Sequence, residues 1–210
     1  MDSDPQETYD RIAAHFAATR EYAWPEVEQF VDEWGQDRRR ALDLGCGNGR
    51  HAELLADHVD RVVGLDVSRG LLTEARTRAA ERDFSVDLVH GDAARLPFVD
   101  DGFDLGVYVA TLHHLRSRDA RVASLSELAR VLTPEGRAVV SVWSTEHDTF
   151  DAEVGFDTTV DWTLPGGETV PRYYHIYDPE EFRADLQSSA LTVVETVVSS
   201  GNCYAVVGGE

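Results

Sequence analysis

From Ala41 onward, short apolar runs alternate with stretches whose apolar residues recur every three or four positions. That is the pattern of strands alternating with amphipathic helices. Ala41–Leu44 predicts a first strand, followed by the glycine-rich Gly45-Cys46-Gly47-Asn48-Gly49 and a helix through about Leu55. Arg61–Leu65 predicts a second strand ending at Asp66, and Ser68 an N-cap for a helix carrying Leu71, Leu72, Ala75 and Ala79. Val86–His90 predicts a third strand. Phe103–Val109 predicts a fourth, nearly continuous in apolar residues, as strands buried on both faces are. A helix over Arg118–Leu132 stops at Thr133-Pro134-Glu135-Gly136, and Ala138–Trp143 follows as a fifth strand. Val193–Val198 and Cys203–Val207, joined by Ser199-Ser200-Gly201-Asn202, form a hairpin signal, so the final strand runs antiparallel to its neighbour.

These elements predict a Rossmann-like α/β fold: seven strands, mostly parallel, with an antiparallel final strand and helices on both faces. Ligands in such sheets bind at the carboxyl ends of the strands. The reading is one domain over 1–210, with two segments outside the core. Residues 5–35 predict two helices split at Trp24-Pro25, a cap; residues 144–176 read as an irregular lid or binding loop on the substrate side.

Composition narrows the picture. The 210 residues are 42% hydrophobic, which excludes global disorder, and no run of about 18 apolar residues is present to span a membrane. The acidic opening Met1-Asp2-Ser3-Asp4-Pro5 is unlike a signal peptide, so a cytoplasmic location is expected. The net charge is −20, and all 19 basic residues are arginine. A lysine-free, acid-rich surface suits a salt-filled cytoplasm, where a Debye length of about 3 Å screens self-repulsion. We read the charge as a halophile's signature, which leaves an RNA substrate open. Cys46 and Cys203 lie far apart and outside any C-x-x-C, so no metal site is expected.

Chemistry concentrates at Asp43-Leu44-Gly45-Cys46-Gly47-Asn48-Gly49. Glycines let the turn take positive φ and let a ligand touch backbone, and the following helix start offers N–H groups to an anion. Arg50 stands where a dinucleotide fingerprint needs a small residue, and no P-loop is present. With Asp66 at the end of the next strand, the motif resembles class I S-adenosylmethionine-dependent methyltransferases. The resemblance implies that Asp66 accepts the ribose hydroxyls, Asp92 meets the adenine amino group and Asp43 faces the methionine ammonium. Structural alternatives are an N-cap role for Asp66, a turn role for Asp92 and a buried hydrogen-bonded Asp43. It also implies that Tyr9, Gly45, Cys46, Gly47, Asn48, Gly49, Val67, Ala93 and Ala110 surround the cofactor.

Further motifs narrow the resemblance. Thr8-Tyr9-Asp10-Arg11-Ile12-Ala13-Ala14-His15-Phe16, Thr19-Arg20, Trp24-Pro25, Leu96-Pro97-Phe98, Leu112-His113-His114-Leu115 and Arg172-Tyr173-Tyr174-His175 are similar to the tRNA wobble-uridine carboxymethyl methyltransferases. That family includes the methyltransferase domain of the animal AlkB-type tRNA enzyme. The resemblance implies methyl esterification of a carboxymethyl group on C5 of the wobble uridine, a tRNA anticodon-loop substrate, and a small zinc-binding activator subunit pairing with edge strand 86–90 in a heterodimer. A carboxylate oxygen is already ionised at neutral pH and needs no general base, only alignment and exclusion of water. Arg20 and Arg172, with His113, are the candidates to position it, since arginine pairs carboxylates bidentately. The alternative for each arginine is cofactor, phosphate or a surface acid. Trp24, Trp143, Trp162, Tyr173, Tyr174 and His175 are candidate substrate contacts, the aromatics by stacking on a splayed base; ordinary packing is the alternative. Two rival readings stand beside this one: a quinone- or metabolite-type methyltransferase, and a non-catalytic methyltransferase-like subunit.

Overall fold

The computed structural model describes residues 4–209. The sheet is β1 (Arg40–Leu44), β2 (Arg61–Asp66), β3 (Asp87–His90), β4 (Phe103–Val109), β5 (Leu132–Trp143), β8 (Thr192–Ser199) and β9 (Asn202–Gly208), in the order β3-β2-β1-β4-β5-β9-β8. β1 to β5 pair parallel, and β9 is antiparallel to both β5 and β8. This is the expected seven-stranded sheet with its reversed last strand. Ser199 pairs with Asn202, leaving Ser200 and Gly201, both at positive φ, as the two-residue turn that suits a twisted hairpin.

The inner strands β1, β2, β4, β5 and β9 are buried on both faces because their side chains alternate between two cores. Leu42, Leu44, Val63, Leu65 and Tyr108 face one side, under α5 (Arg118–Val131) and α6 (Pro179–Ser188). Ala41, Val62, Leu105, Val107 and Val109 face the other, under α2 (Pro25–Trp34) and α3 (Arg50–Ala56). The expected break at Thr133–Gly136 does end α5, but the chain enters β5 directly at Leu132, without a loop.

α1 (Pro5–Ala18) crosses above the strand ends and packs on α4 (Arg69–Arg82). Ser68 caps α4 through Leu71 N–H, as its position predicted. Asp10 of α1 accepts from both Ser68 Oγ (2.6 Å) and Gly70 N–H (2.8 Å), which fastens α1 to the start of α4.

The expected irregular segment 144–176 is in large part regular. β6 (Phe156–Thr163) and β7 (Thr169–Ile176) form a separate antiparallel hairpin. Its alternation was masked because the outward positions of β6 are polar, among them Asp157 and Asp161. α6, not among the expected elements, buries Phe182 and Leu186 one turn apart, and is started at Asp178-Pro179, where Asp178 accepts from Glu180 and Glu181 N–H. β3 forms one sheet edge, as expected, with Leu88 and Val89 half-buried. The more exposed apolar edge is β8, with Val194 and Val197 about half exposed. Among the described residues no helix is long and apolar enough to cross a membrane.

Candidate functional site

The carboxyl ends of β1 to β4 surround a cavity of about 270 Å³. Its wall is Gly45–Asn48 after β1, Asp66 and Val67 after β2, Asp92 and Ala93 after β3, and Ala110 and Thr111 after β4. Tyr9 and Phe16 of α1 close it from above. The topology alone puts a ligand site here.

The glycine turn is built by close approach. Gly45 has φ +72°, and a Cβ there would lie 2.1 Å from Thr111 Oγ1. Thr111 reaches that point because Ala110 turns the chain at φ +53°, an uncommon conformation for alanine. Gly47 differs: a Cβ there would meet only Phe16, at 3.9 Å, and would project into the cavity. The turn's N–H groups do not form an anion cradle. Gly45 and Cys46 donate to Leu65 O, Gly47 donates to Asp66 Oδ2 and Gly49 to Cys46 O. Gly49 lies behind the wall, as the N-cap of α3.

Three acids have three environments. Asp66 is nearly buried, its Oδ1 accepting from Ser68 N–H and its Oδ2 from Gly47 N–H, both at 2.8 Å. Burial raises its pKa against those two bonds. Each oxygen keeps a lone pair, so the turn role and a ligand role coexist. Asp92 uses Oδ1 for Ala94 N–H and is otherwise exposed on the cavity rim. Asp43, expected in the wall, stands behind the turn instead: it is 1% exposed, does not line the cavity, and its Oδ2 has no partner. Burial pushes its pKa up to about 7, opposed by Arg50.

Beside the cavity, α1 and the β6–β7 hairpin form a cationic aromatic roof. Arg172 is 7% exposed; it donates to Tyr174 Oη at 2.6 Å, and its Nε is buried without a partner. Its guanidinium sits 4.9 Å from the Trp162 ring, and Arg20 sits 5.4 Å from the same ring. Burial and then Arg172 lower the Arg20 pKa. Among the described residues neither arginine has a carboxylate at ion-pair distance, in a chain with 39 acids. Trp162 Nε1 donates to His15 Nδ1 (3.0 Å), pinning the hairpin to α1.

The two histidines after β4 differ. His114 lines the cavity; because Nδ1 lies 2.9 Å from Tyr173 O, it must donate there, and Nε2 accepts from Tyr9 Oη at 2.8 Å. Burial pushes its pKa down to about 4, so the ring is neutral. His113, the expected positioning residue, is 2% exposed and does not line the cavity. Its Nδ1 accepts from Trp143 N–H, and its ring packs 4.8 Å from Tyr174, so it supports the wall from behind.

The Arg172–His175 block divides by strand period. Arg172 and Tyr174 face the roof, while Tyr173 and His175 face away. Tyr173 donates to Asp157 Oδ1, and His175 lies between Asp157 Oδ1 (2.7 Å) and Glu181 Oε1 (2.9 Å). His175 ties the hairpin to α6, and Tyr173 ties β7 to β6 and to Arg116 O; both point away from the expected substrate contact. Trp24 likewise packs in the core, near Tyr204 and under Arg50. Trp143 stands 5.3 Å from Tyr174, next to the roof. Phe16 was not among the expected contacts, though Phe16 and Tyr9 each fall one turn from Ile12 on α1, the spacing that marks its inward face.

Comparison with known proteins adds the following. A family model described as a methyltransferase domain matches residues 41–136. A protein assigned as a methyltransferase in Encephalitozoon cuniculi is 33% identical over 205 residues, covering 95% of this chain and 92% of that one. The tRNA (carboxymethyluridine(34)-5-O)-methyltransferase alkbh8 of Xenopus tropicalis is 34% identical over 140 residues, 67% of this chain but only 21% of that protein's length. Among solved structures, the Burkholderia thailandensis 1,6-didemethyltoxoflavin-N1-methyltransferase, with S-adenosylhomocysteine bound, superposes with a TM-score of 0.70 at 19% identity, over 100% of this chain and 92% of that one. A Haloferax volcanii chain solved in complex with the Trm112 methyltransferase activator superposes with a TM-score of 0.68 at 18% identity, over 99% of each.

Proposed function

Since this chain belongs to the class I S-adenosylmethionine-dependent methyltransferases, we propose that it methylates a carboxylate oxygen: that of a carboxymethyl group on C5 of the tRNA wobble uridine. One observation carries the choice of a carboxylate. Arg172 is buried, charged and without an acid partner, directly beside the cavity. Two aromatic rings and one hydroxyl offset part of its burial cost, and an anion would complete it. The relationship to the Xenopus carboxymethyluridine enzyme supports the identity of the group that bears the carboxylate.

The cavity suits S-adenosylmethionine. Gly47 leaves open the space that a side chain would fill, and Asp66 presents two fixed oxygens, each with a free lone pair. In this reading Asp66 holds the ribose hydroxyls. The free Oδ2 of Asp92 takes the adenine amino group, and Gly45, Cys46, Asn48, Val67, Ala93 and Ala110 form the walls. When bound, the cofactor supplies an electrophilic methyl group on a positively charged sulfur. Arg172, with Arg20 across Trp162, holds the substrate carboxylate in line with that methyl group. Trp162 and Phe16 exclude water, which strengthens the clamp and keeps the carboxylate oxygen unsolvated. No proton has to move, since a carboxylate is ionised at neutral pH. The neutral His114, with both ring nitrogens engaged, is consistent with that.

The same reading makes the chain one domain with a roof over the cavity, acting in the cytoplasm beside a small zinc-binding activator that pairs with the β3 edge. The Haloferax complex supports a partner of that kind. It also makes the lysine-free, acidic surface a halophile's. The test is methyl transfer from labelled S-adenosylmethionine to tRNA from cells lacking this gene, in molar KCl, with and without a co-expressed zinc-ribbon subunit. A base-labile label on a wobble uridine, reduced about 100-fold by Arg172→Ala, is the expected result. Label on a small-molecule fraction and none on tRNA would reassign the carboxylate to a metabolite. Cofactor binding without any transfer would leave a non-catalytic subunit.

A further inference from the structure

Arg172 rides on the β6–β7 hairpin. Among the described residues it donates to Tyr174 of its own strand, and the rings over its guanidinium are Tyr174 and Trp162 of the paired strand. Whatever sets the tilt of the hairpin therefore aims the arginine. Trp162 and His15 fasten the hairpin to α1, and His175 fastens it to α6. The second fastening has unusual chemistry. His175 is 7% exposed, with Nδ1 2.7 Å from Asp157 Oδ1 and Nε2 2.9 Å from Glu181 Oε1. A carboxylate accepts and does not donate, so holding both acids takes a hydrogen on both ring nitrogens. A neutral ring has one N–H and turns a lone pair on the other acid at under 3 Å, so one contact must open.

The surroundings decide which. Asp157 and His175 stand directly opposite in the β6–β7 ladder, so backbone bonds keep them together, and Tyr173 donates to the same Oδ1. Glu181 belongs to α6, and Arg121 of α5 already lies 3.4 Å from the same Oε1. The other groups packed around the ring are committed elsewhere. Tyr177 stands edge-on at 4.6 Å with its hydroxyl on Asp185, which is matched by Arg118 and Arg121. Asp178 caps α6 and holds Gly155 N–H, and burial keeps His113 neutral. We infer that the second proton of His175 is a latch: while it is present, β7 is tied to α6 and Arg172 is aimed at the cavity, and when it leaves, Glu181 passes to Arg121 and the hairpin is released. His175 is then a positioning residue that acts through Arg172. Burial works against its charge, and Arg121 with it, but Glu181 and Asp157 outweigh both and raise its pKa. The latch is therefore closed on the acid side and opens as pH rises.

The experiment is a pH series on the whole protein in molar KCl, from about pH 5.5 to about pH 9. The Cε1–H resonance of His175 reports its proton. Hydrogen–deuterium exchange over residues 156–176, corrected for the intrinsic effect of pH, reports the hairpin, and kcat on carboxymethylated tRNA at saturating cofactor reports Arg172. As His175 loses its proton, exchange of the hairpin should rise and kcat should fall, each about tenfold, with KM changing less; that is the small end of what a misplaced group costs. In His175→Gln both readouts should be flat at the level the parent reaches at high pH. In Glu181→Gln the pH dependence should vanish, because an amide meets the ring in either state, as donor or acceptor. Asp43, with a pKa of about 7, titrates in the same range; a fall in kcat that survives both variants belongs to it and overturns the latch. So does titration of His175 with no change in hairpin exchange. Only the kcat arm rests on the carboxylate reading of Arg172. If no methyl group reaches tRNA that reading fails, while hairpin exchange that follows His175 in the parent and not in Glu181→Gln still upholds the latch. Should His175→Gln not melt cooperatively, Glu181→Gln, at a side chain 25% exposed, carries the comparison.

Discussion

Replacing Asp43 by asparagine should stabilise the ligand-free protein, and by an amount that grows with pH. Asp43 is 1% exposed, and its Oδ2 has no hydrogen-bond partner. Burial raises its pKa from 3.8 to about 7. The folded state therefore holds the Asp43 proton more tightly than the unfolded chain does. Between those two values the folded protein binds more protons, so raising the pH removes stability; above about 7 both states are ionised and the loss is complete. Each pH step inside the window costs about 1.4 kcal/mol, and the whole window roughly 4 kcal/mol. Asparagine has its own burial cost, but that cost does not vary with pH. The difference between Asp43→Asn and the parent should widen by roughly 2–3 kcal/mol from pH 5 to pH 8 and then level off. Urea unfolding of both proteins at fixed KCl, extrapolated to zero denaturant at each pH, reads that difference directly, and the other titrating acids cancel. A gap that stays flat across this range, or narrows, would refute the account of Asp43 as a carboxylate whose burial outweighs Arg50 and the Ala52 N–H.

Two glycines, one histidine and the net charge give four more tests. Gly45→Ala should fail to fold or lose several kcal/mol, because its Cβ falls 2.1 Å from Thr111 at φ +72°; Gly47→Ala should melt about 1 kcal/mol lower yet lose S-adenosylhomocysteine binding by calorimetry, since its Cβ enters the cavity. His175 has a raised pKa, because Glu181 and Asp157 outweigh its burial; its contribution to stability is whole below pH 6.5 and declines as pH rises through the folded value, so His175→Gln should be most destabilising, relative to the parent, in acid. Thermal melting should rise steeply with KCl from 0.1 to 2 M as the net charge of −20 is screened; a flat dependence would remove the halophile reading.

The inner part of the sheet was legible because strands such as β1, β2 and β4 are buried on both faces. Strands such as Phe103–Val109 are then written as near-continuous apolar runs, and a glycine turn after the first of them marks the ligand end. The cavity wall from Gly45 to Asn48, with Asp66, Asp92 and Ala110, follows from that topology. What was not legible lies outside the sheet. The β6–β7 hairpin buries one face against α1 and the strand ends, so its outward positions carry Asp157 and Asp161, and a search for apolar runs passes over it. Asp43 could not be placed in or behind the wall, since a carboxylate next to a glycine turn reads alike in both cases.

The hairpin also changes what Arg172-Tyr173-Tyr174-His175 means. Read as a loop, the four residues are all free to meet a substrate. Read as a strand, side chains two apart share a face and neighbours oppose. Arg172 and Tyr174 then turn to the roof, and Tyr173 and His175 to Asp157 and Glu181. The outward pair matters to the inward pair because one short strand carries both. A substitution at His175 frees the hairpin from α6, and Arg172 then loses the fixed position that alignment of a carboxylate requires. His175→Gln should accordingly lower kcat more than it raises KM, since the arginine remains present but is less well aimed. Arg172→Lys should raise KM as well, because a lysine keeps the charge but not the two-pronged geometry. Steady-state kinetics on carboxymethylated tRNA distinguishes the two. Equal effects on KM and kcat in both variants would mean that the two faces of β7 are not mechanically linked.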